Sequence, residues 1–224
     1  MNKEHSLEED VRHGTKEQPM TVMRFAAGPK TYYPDVFFVQ RHWHSGIEMI
    51  KIKKGSYTVE VNLEKFTMRE GDFCIFNSEE LHQIRGNEAV TLHDVIIFQP
   101  QILAFSYEDE VQRELIGPLM SHKDSLVHVM HPGDRGYMEF AAGYERIVAC
   151  GLIQEDGWYY EAKIGVLGLL NQLKKNQMIH PSESMQSAAE KEKIDRYKRV
   201  VSYIEEHYKE KVSLEELAGA AQCN

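Results

Sequence analysis

Apolar and polar positions alternate along much of the chain between Thr21 and about Phe98. Tyr57-Thr58-Val59-Glu60-Val61 has the two-residue period of a strand with one buried face, and Thr91–Phe98 shows it in part. Gly46, Gly55, Gly71 and Gly86 fall between such runs, where turns are expected. Many short strands at this spacing predict a sandwich or barrel. Past Pro100 the period lengthens. Tyr137, Phe140, Ala141, Tyr144, Ile147, Val148 and Leu152 lie at helical spacing, with one apolar face. After Gly157, the residues Ala162, Val166, Leu167, Leu169, Leu170 and Leu173 cover about half a helix circumference, wider than the usual core-facing stripe. Burial on two sides, against the barrel and against a second subunit, accounts for that width; so does deep burial within one domain.

The flanks read differently. Residues 1–20 are polar and irregular, and are expected to form a flexible arm. Residues 181–193 are small, polar and aperiodic, the texture of a linker. Beyond it Ile194, Tyr197, Val201, Ile204 and Tyr208 predict an amphipathic helix. Ser213-Leu214-Glu215-Glu216 is then a capping box opening another, whose apolar face is Leu214, Leu217, Ala218 and Ala221. The expected organisation is arm 1–20, barrel 21–100, helical region 101–180, linker 181–193 and a second unit 194–224. Two short helices cannot bury both their apolar faces alone, so this last unit is expected to be poorly folded, with the leading helix the more persistent of the two.

Composition narrows the function classes. A net charge of −9 argues against broad coating of nucleic acid, while leaving room for a small DNA-reading unit on an acidic body. Cys74, Cys150 and Cys223 are widely spaced and form no CxxC pair, so neither a disulfide framework nor a zinc knuckle is expected. The opening residues carry no secretory pattern and no stretch has the length of a membrane span, so a cytoplasmic location without membrane partners is expected.

The densest chemistry is His42-Trp43-His44-Ser45-Gly46-Ile47-Glu48. Residues two apart on a strand share a face, so His42 and His44 project together, within reach of Glu48. Gly71-Asp72 and an apolar run lead on to His82. Three imidazoles and a carboxylate suit a borderline divalent metal such as zinc, iron, nickel or manganese; the same groups can equally line a pocket without one. Trp43, between two strand histidines, is expected to face outward against packing helices.

The spacing His42-x-His44-x3-Glu48-x6-Gly55 resembles the first cupin motif, and Gly71 to His82 resembles the second. The second departs from the common form: Asn77-Ser78-Glu79-Glu80-Leu81 stands where proline and glycine precede the histidine. With "YIEEHYKEK" and "VSLEELAGAAQCN" downstream, the chain resembles regulators of the AraC/XylS family. That resemblance implies a mainly β fold with α: a cupin-like double-stranded β-helix (jelly-roll) barrel, a helical hairpin, and a truncated helix-turn-helix segment. It implies a non-enzymatic, ligand-responsive transcription regulator, with a sugar or small metabolite held near His42, His44, Glu48 and His82, and a divalent metal as an optional occupant. Partners would be promoter DNA in a longer chain and a second subunit, paired through the second long helix. Asn224 falls where the recognition helix would be capped, so the DNA-reading residues themselves would be absent. The alternative is a metal-dependent cupin enzyme, a dioxygenase or sugar isomerase, with the same four residues as ligands.

Overall fold

The computed structural model describes residues 7–9, 13–33 and 35–222. Eight strands come first: β1 (Met20–Ala27), β2 (Phe38–His42), β3 (Ile47–Lys54), β4 (Tyr57–Val61), β5 (Glu64–Met68), β6 (Phe73–Phe76), β7 (His82–Gly86) and β8 (Thr91–Phe98). Past Pro100 come α1 (Gly117–Met120), β9 (Asp124–Leu126), β10 (Val129–Met130), α2 (Tyr137–Ile153), α3 (Trp158–Lys175) and β11 (Ile179–Pro181). The remaining helices are α4 (Ser182–Met185), α5 (Ala188–His207) and α6 (Leu214–Ala220).

Two antiparallel sheets face each other, one ordered β1-β8-β3-β6-β10 and the other β2-β7-β4-β5. β6, an inner strand of the five-stranded sheet, is buried on both faces, which is why it reads as an apolar run without alternation. Along β3, Ile50 and Ile52 join Phe76, Val95 and Ile97 inside the barrel. Ile47 and Met49 point the other way and pack with the helices. The inward face therefore carries Glu48 toward the barrel axis. β4 keeps its predicted alternation except at Glu60, which is buried because the Arg41 guanidinium forks onto it, Nε to Oε1 at 2.5 Å and Nη2 to Oε2 at 3.1 Å.

The helical hairpin α2/α3 covers the outer face of that sheet. Phe140, Tyr144, Ile147 and Val148 of α2 and Ala162, Val166, Leu169, Leu170 and Leu173 of α3 form one core with Met20, Val22, Phe73 and Phe98. Small residues allow the close approach: a Cβ on Gly151 would lie 2.4 Å from a Val22 methyl, and one on Gly165 would lie 2.6 Å from Ile147. The Tyr144 hydroxyl lies 2.9 Å from the Met49 carbonyl and 2.7 Å from that of Asp94, fastening α2 to β3 and β8. Most of the wide apolar arc of α3 is thus spent inside its own domain, with Leu167 only partly buried.

Several sequence expectations change. β10 extends the barrel sheet through β6, although residues 129–130 fall in the stretch read as helical; two residues are too few for alternation to show. β11 pairs with β9 at Ile179–Leu126, within and beside that stretch. Much of the expected linker is helical: Ser187 caps α5, accepting from the Glu190 amide while the Glu190 carboxylate accepts from the Ser187 amide. The second unit is also anchored: Ile194, Tyr197 and Val201 of α5 pack on Leu7, Trp43, Leu63 and Leu81 at the barrel mouth. Ser213 caps α6 as its motif predicts, but Leu214 of the expected apolar face is 81% exposed. Cys74 and Cys150 are free thiols, whereas Cys223 and the cap assigned to Asn224 lie outside the described residues. Among the described residues no helix is long and apolar enough to cross a membrane.

Candidate functional site

The structure brings His42, His44, Glu48 and His82 together at one end of the barrel. Each offers a ligand atom, and those four atoms lie within 4.8 Å of one another. His42 closes β2 and faces His82 at the start of β7 in the sheet register, with ring centroids 4.2 Å apart. His44 Nε2 is 3.1 Å, and His82 Nε2 3.4 Å, from the same Glu48 oxygen. Phe76 stacks on the His82 ring from below, 4.2 Å away and nearly parallel, and helps floor the site.

Backbone carbonyls set the tautomers. His42 Nδ1 lies 2.9 Å from the Gln40 carbonyl, His44 Nδ1 3.1 Å from that of Gly46 and His82 Nδ1 2.8 Å from that of Glu80. A carbonyl can only accept, so all three rings donate from Nδ1 and turn Nε2 inward. In neutral rings that leaves three lone pairs and a carboxylate converging on one point, with His82 Nε2 buried and without a hydrogen-bond partner. Such a set needs a positive charge at its centre. Without a metal a proton supplies part of it: burial lowers the His44 pKa, but the bond to Glu48 and the carboxylate's charge outweigh this and leave it raised. Burial likewise acts to raise the Glu48 carboxyl, yet His44 and His82 together hold it well below the usual carboxylate range. His42 falls to about 4, through burial and then repulsion from His82, so its ring is neutral at physiological pH. Borderline donors with fixed tautomers and an orphaned inward nitrogen fit a divalent cation.

The loop that departs from the cupin pattern is closely tied. Asn77 pairs its side-chain amide with both backbone groups of Leu126, at 3.0 and 2.7 Å, as an adjoining strand would. Glu80, its side chain 15% accessible, is 2.9 Å from His128 and accepts from the Asn77 amide at 2.8 Å. Glu79 takes φ +65° and donates its amide to the His44 carbonyl at 2.8 Å, while Lys198 of α5 donates to the Glu79 carbonyl at 2.6 Å. Trp43 faces outward, as expected, with the Lys198 ammonium 4.7 Å from its ring centroid.

Sequence reasoning missed two residues here. Trp43 exchanges backbone hydrogen bonds with the N-terminal segment, its N–H donating to Leu7 O at 2.7 Å and its C=O accepting from Glu9 N at 3.0 Å. This pairing sets Glu9 Oε2 3.8 Å from His42 Nε2 and 2.9 Å from His13 Nε2. The His13 ring meets His44 edge-on at 5.1 Å. No local spacing signals such residues, because the contact is made across more than thirty positions.

Comparison with known proteins bears on the barrel first. Residues 31–96 match the Cupin domain family, a span that holds all four converging residues. The barrel has the cupin fold. The whole chain is also similar to the uncharacterized HTH-type transcriptional regulator YdeC of Bacillus subtilis, 24% identical over 222 residues, which are 99% of this chain and 72% of that protein. Among solved structures, ToxT of Vibrio cholerae, determined with an unsaturated fatty acid bound, aligns over 92% of this chain and 69% of its own, at 11% identity and a TM-score of 0.43. A conserved Streptococcus pyogenes protein of unknown function, SPY1581, aligns over 36% of this chain at 16% identity and a TM-score of 0.32; this chain spans 65% of its length.

Proposed function

We propose that this chain is the sensing and dimerising portion of a ligand-responsive transcription regulator of the AraC/XylS type. The observation that carries the reading is the similarity to an HTH-type regulator over nearly the whole chain, so that it takes in the capped helices α5 and α6 as well as the barrel. A cupin with DNA-reading helices after it has a use for a ligand site that does no chemistry. Residues 21–100 would bind the effector, 101–180 would pair subunits, and the helices from Ala188 onward would lead into the DNA reader. The effector would be a sugar or small metabolite entering beside His42, His44, Glu48 and His82. A divalent cation held by those four residues would supply a fixed positive centre to organise the mouth or to meet an anionic effector group.

The test is promoter binding. A chain extended to the length of the Bacillus relative should shift its own promoter fragment specifically at fixed salt, whereas these 224 residues should not, because base-edge contacts rather than phosphate contacts specify sequence. Failure of the extended chain would remove the regulator reading. A second reading, a metal-dependent cupin enzyme, draws on one specific observation: the three imidazoles with fixed tautomers around Glu48. It predicts turnover with metal loaded and no dependence on α5 or α6.

A further inference from the structure

The N-terminal segment reaches the candidate site from outside the barrel, and it does so in a fixed register. Residues flanking a paired position project toward its neighbours, and Trp43, which stands between two of the converging histidines, is bridged to Glu8 through backbone hydrogen bonds to Leu7 and Glu9. The Glu9 carboxylate is thereby placed beside the cluster, 3.8 Å from His42 Nε2 and hydrogen-bonded to His13 at 2.9 Å. Glu9, His13 and His44 form a second group whose ligand atoms all lie within 4.8 Å of one another, and the two groups share His44. Neither Glu9 nor His13 is well exposed, with side chains 27% and 10% accessible.

We infer that Glu9 is an additional donor to the cation held by His42, His44, Glu48 and His82, with His13 as the residue that positions its carboxylate. This rests on the reading of that cluster as a divalent-cation site. Charge favours the arrangement: Glu48 and Glu9 together bring two negative charges, which neutralise a divalent ion, whereas Glu48 alone leaves it half compensated. Geometry favours it as well, since three imidazoles and one carboxylate leave open positions on a metal that prefers six ligands, and a Glu9 oxygen lies 3.8 Å from the inward nitrogen of His42. Catalytic metal sites keep such positions free for substrate or water. Here the chain's own carboxylate would fill one. The cation site would then be closed by an element other than the barrel that builds it, as suits an ion that organises structure. His13, hydrogen-bonded to the same Glu9 oxygen, holds the carboxylate at the cluster.

The experiment is titration of the full 224-residue chain, purified without chelators or metal-affinity steps, with Co(II). Visible absorption and the dissociation constant are read for the parent, Glu9→Gln, His13→Ala and His42→Ala. Glu9→Gln should bind Co(II) about tenfold or more weakly, with altered band intensities because the coordination sphere has changed; His13→Ala should weaken binding less; His42→Ala should lose most of it. Far-UV circular dichroism and thermal melts of metal-free Glu9→Gln and His13→Ala should match the parent, since Glu9 and His13 lie outside the barrel core. Equal affinity and identical spectra for parent and Glu9→Gln would overturn the role of Glu9 while leaving the four-residue site intact. A parent chain that binds no Co(II), Mn(II), Ni(II) or Zn(II) would overturn the cation reading and this inference together.

Discussion

Single side chains inside the barrel carry a pH dependence that composition does not reveal. His93 is 1% exposed, bonded through Nδ1 to the Tyr57 hydroxyl at 2.8 Å, stacked on Phe25 and edge-on to Phe37, with Nε2 left unpaired. Burial lowers its pKa from 6.5 to about 4. Between those values the unfolded chain binds the proton and the folded chain does not, so stability rises with pH across that window and falls on acidification. The full shift corresponds to on the order of 3 kcal/mol. Chemical denaturation at pH 4.5 and 7 should therefore show a smaller loss in His93→Gln than in the parent; equal losses would place the acid sensitivity elsewhere. Much of the candidate site was legible at this scale, because a strand's two-residue period puts His42 and His44 on one face whatever surrounds them. What could not be read was the set of carbonyls that turn each Nε2 inward, since backbone partners have no residue signature. Glu9 and His13 were hidden for a related reason: nothing local distinguishes an ordered segment from a loose polar arm when its order comes from Trp43.

Elements fit together through small residues and caps. Gly151 of α2 has no room for a methyl group against Val22 of β1, so Gly151→Ala should destabilise by about 1–3 kcal/mol through overpacking, despite alanine's better helix propensity. The checking measurement is a urea midpoint, and an unchanged or raised midpoint would mean that the helix shifts freely on the sheet. Ser187→Ala should cost about 1 kcal/mol, confined to α5, visible as faster amide exchange over its first turns while the barrel is unaffected. The long helices were readable because each repeats its pattern over several turns. The start of α5 was not: the small, polar stretch Ser187-Ala188-Ala189-Glu190 looks like a linker, although it carries the same serine-to-glutamate spacing recognised at Ser213. β10 escaped because two residues cannot display a period, and its place in the sheet comes from β6 alone.

For the molecule as a whole, the proposed subunit contact needs a surface that the fold leaves free. Leu170 is 1% exposed within its own domain, so a charge there should unfold the chain instead of separating subunits. Tyr160 and Ile164 of α3 are 74% and 69% exposed, on the side of the helix turned from the sheet. Light scattering should report a dimer for the parent chain and a monomer of unchanged circular dichroism for Ile164→Glu; a dimeric Ile164→Glu would move the contact off α3. Trp43 has a different reach. One side of it is the backbone that separates two imidazoles of the cluster, and the other is the ring on which α5 rests through Lys198. Any occupant that binds more tightly when this arrangement is intact must raise the free energy needed to lift α5, by the same factor by which a docked α5 improves the occupant's hold. Reciprocity of that kind follows from equilibrium alone. It makes the strength with which this helix clings to the barrel a dial on the sensitivity of the site, adjustable by substitutions at Tyr197 or Val201 that touch no ligand.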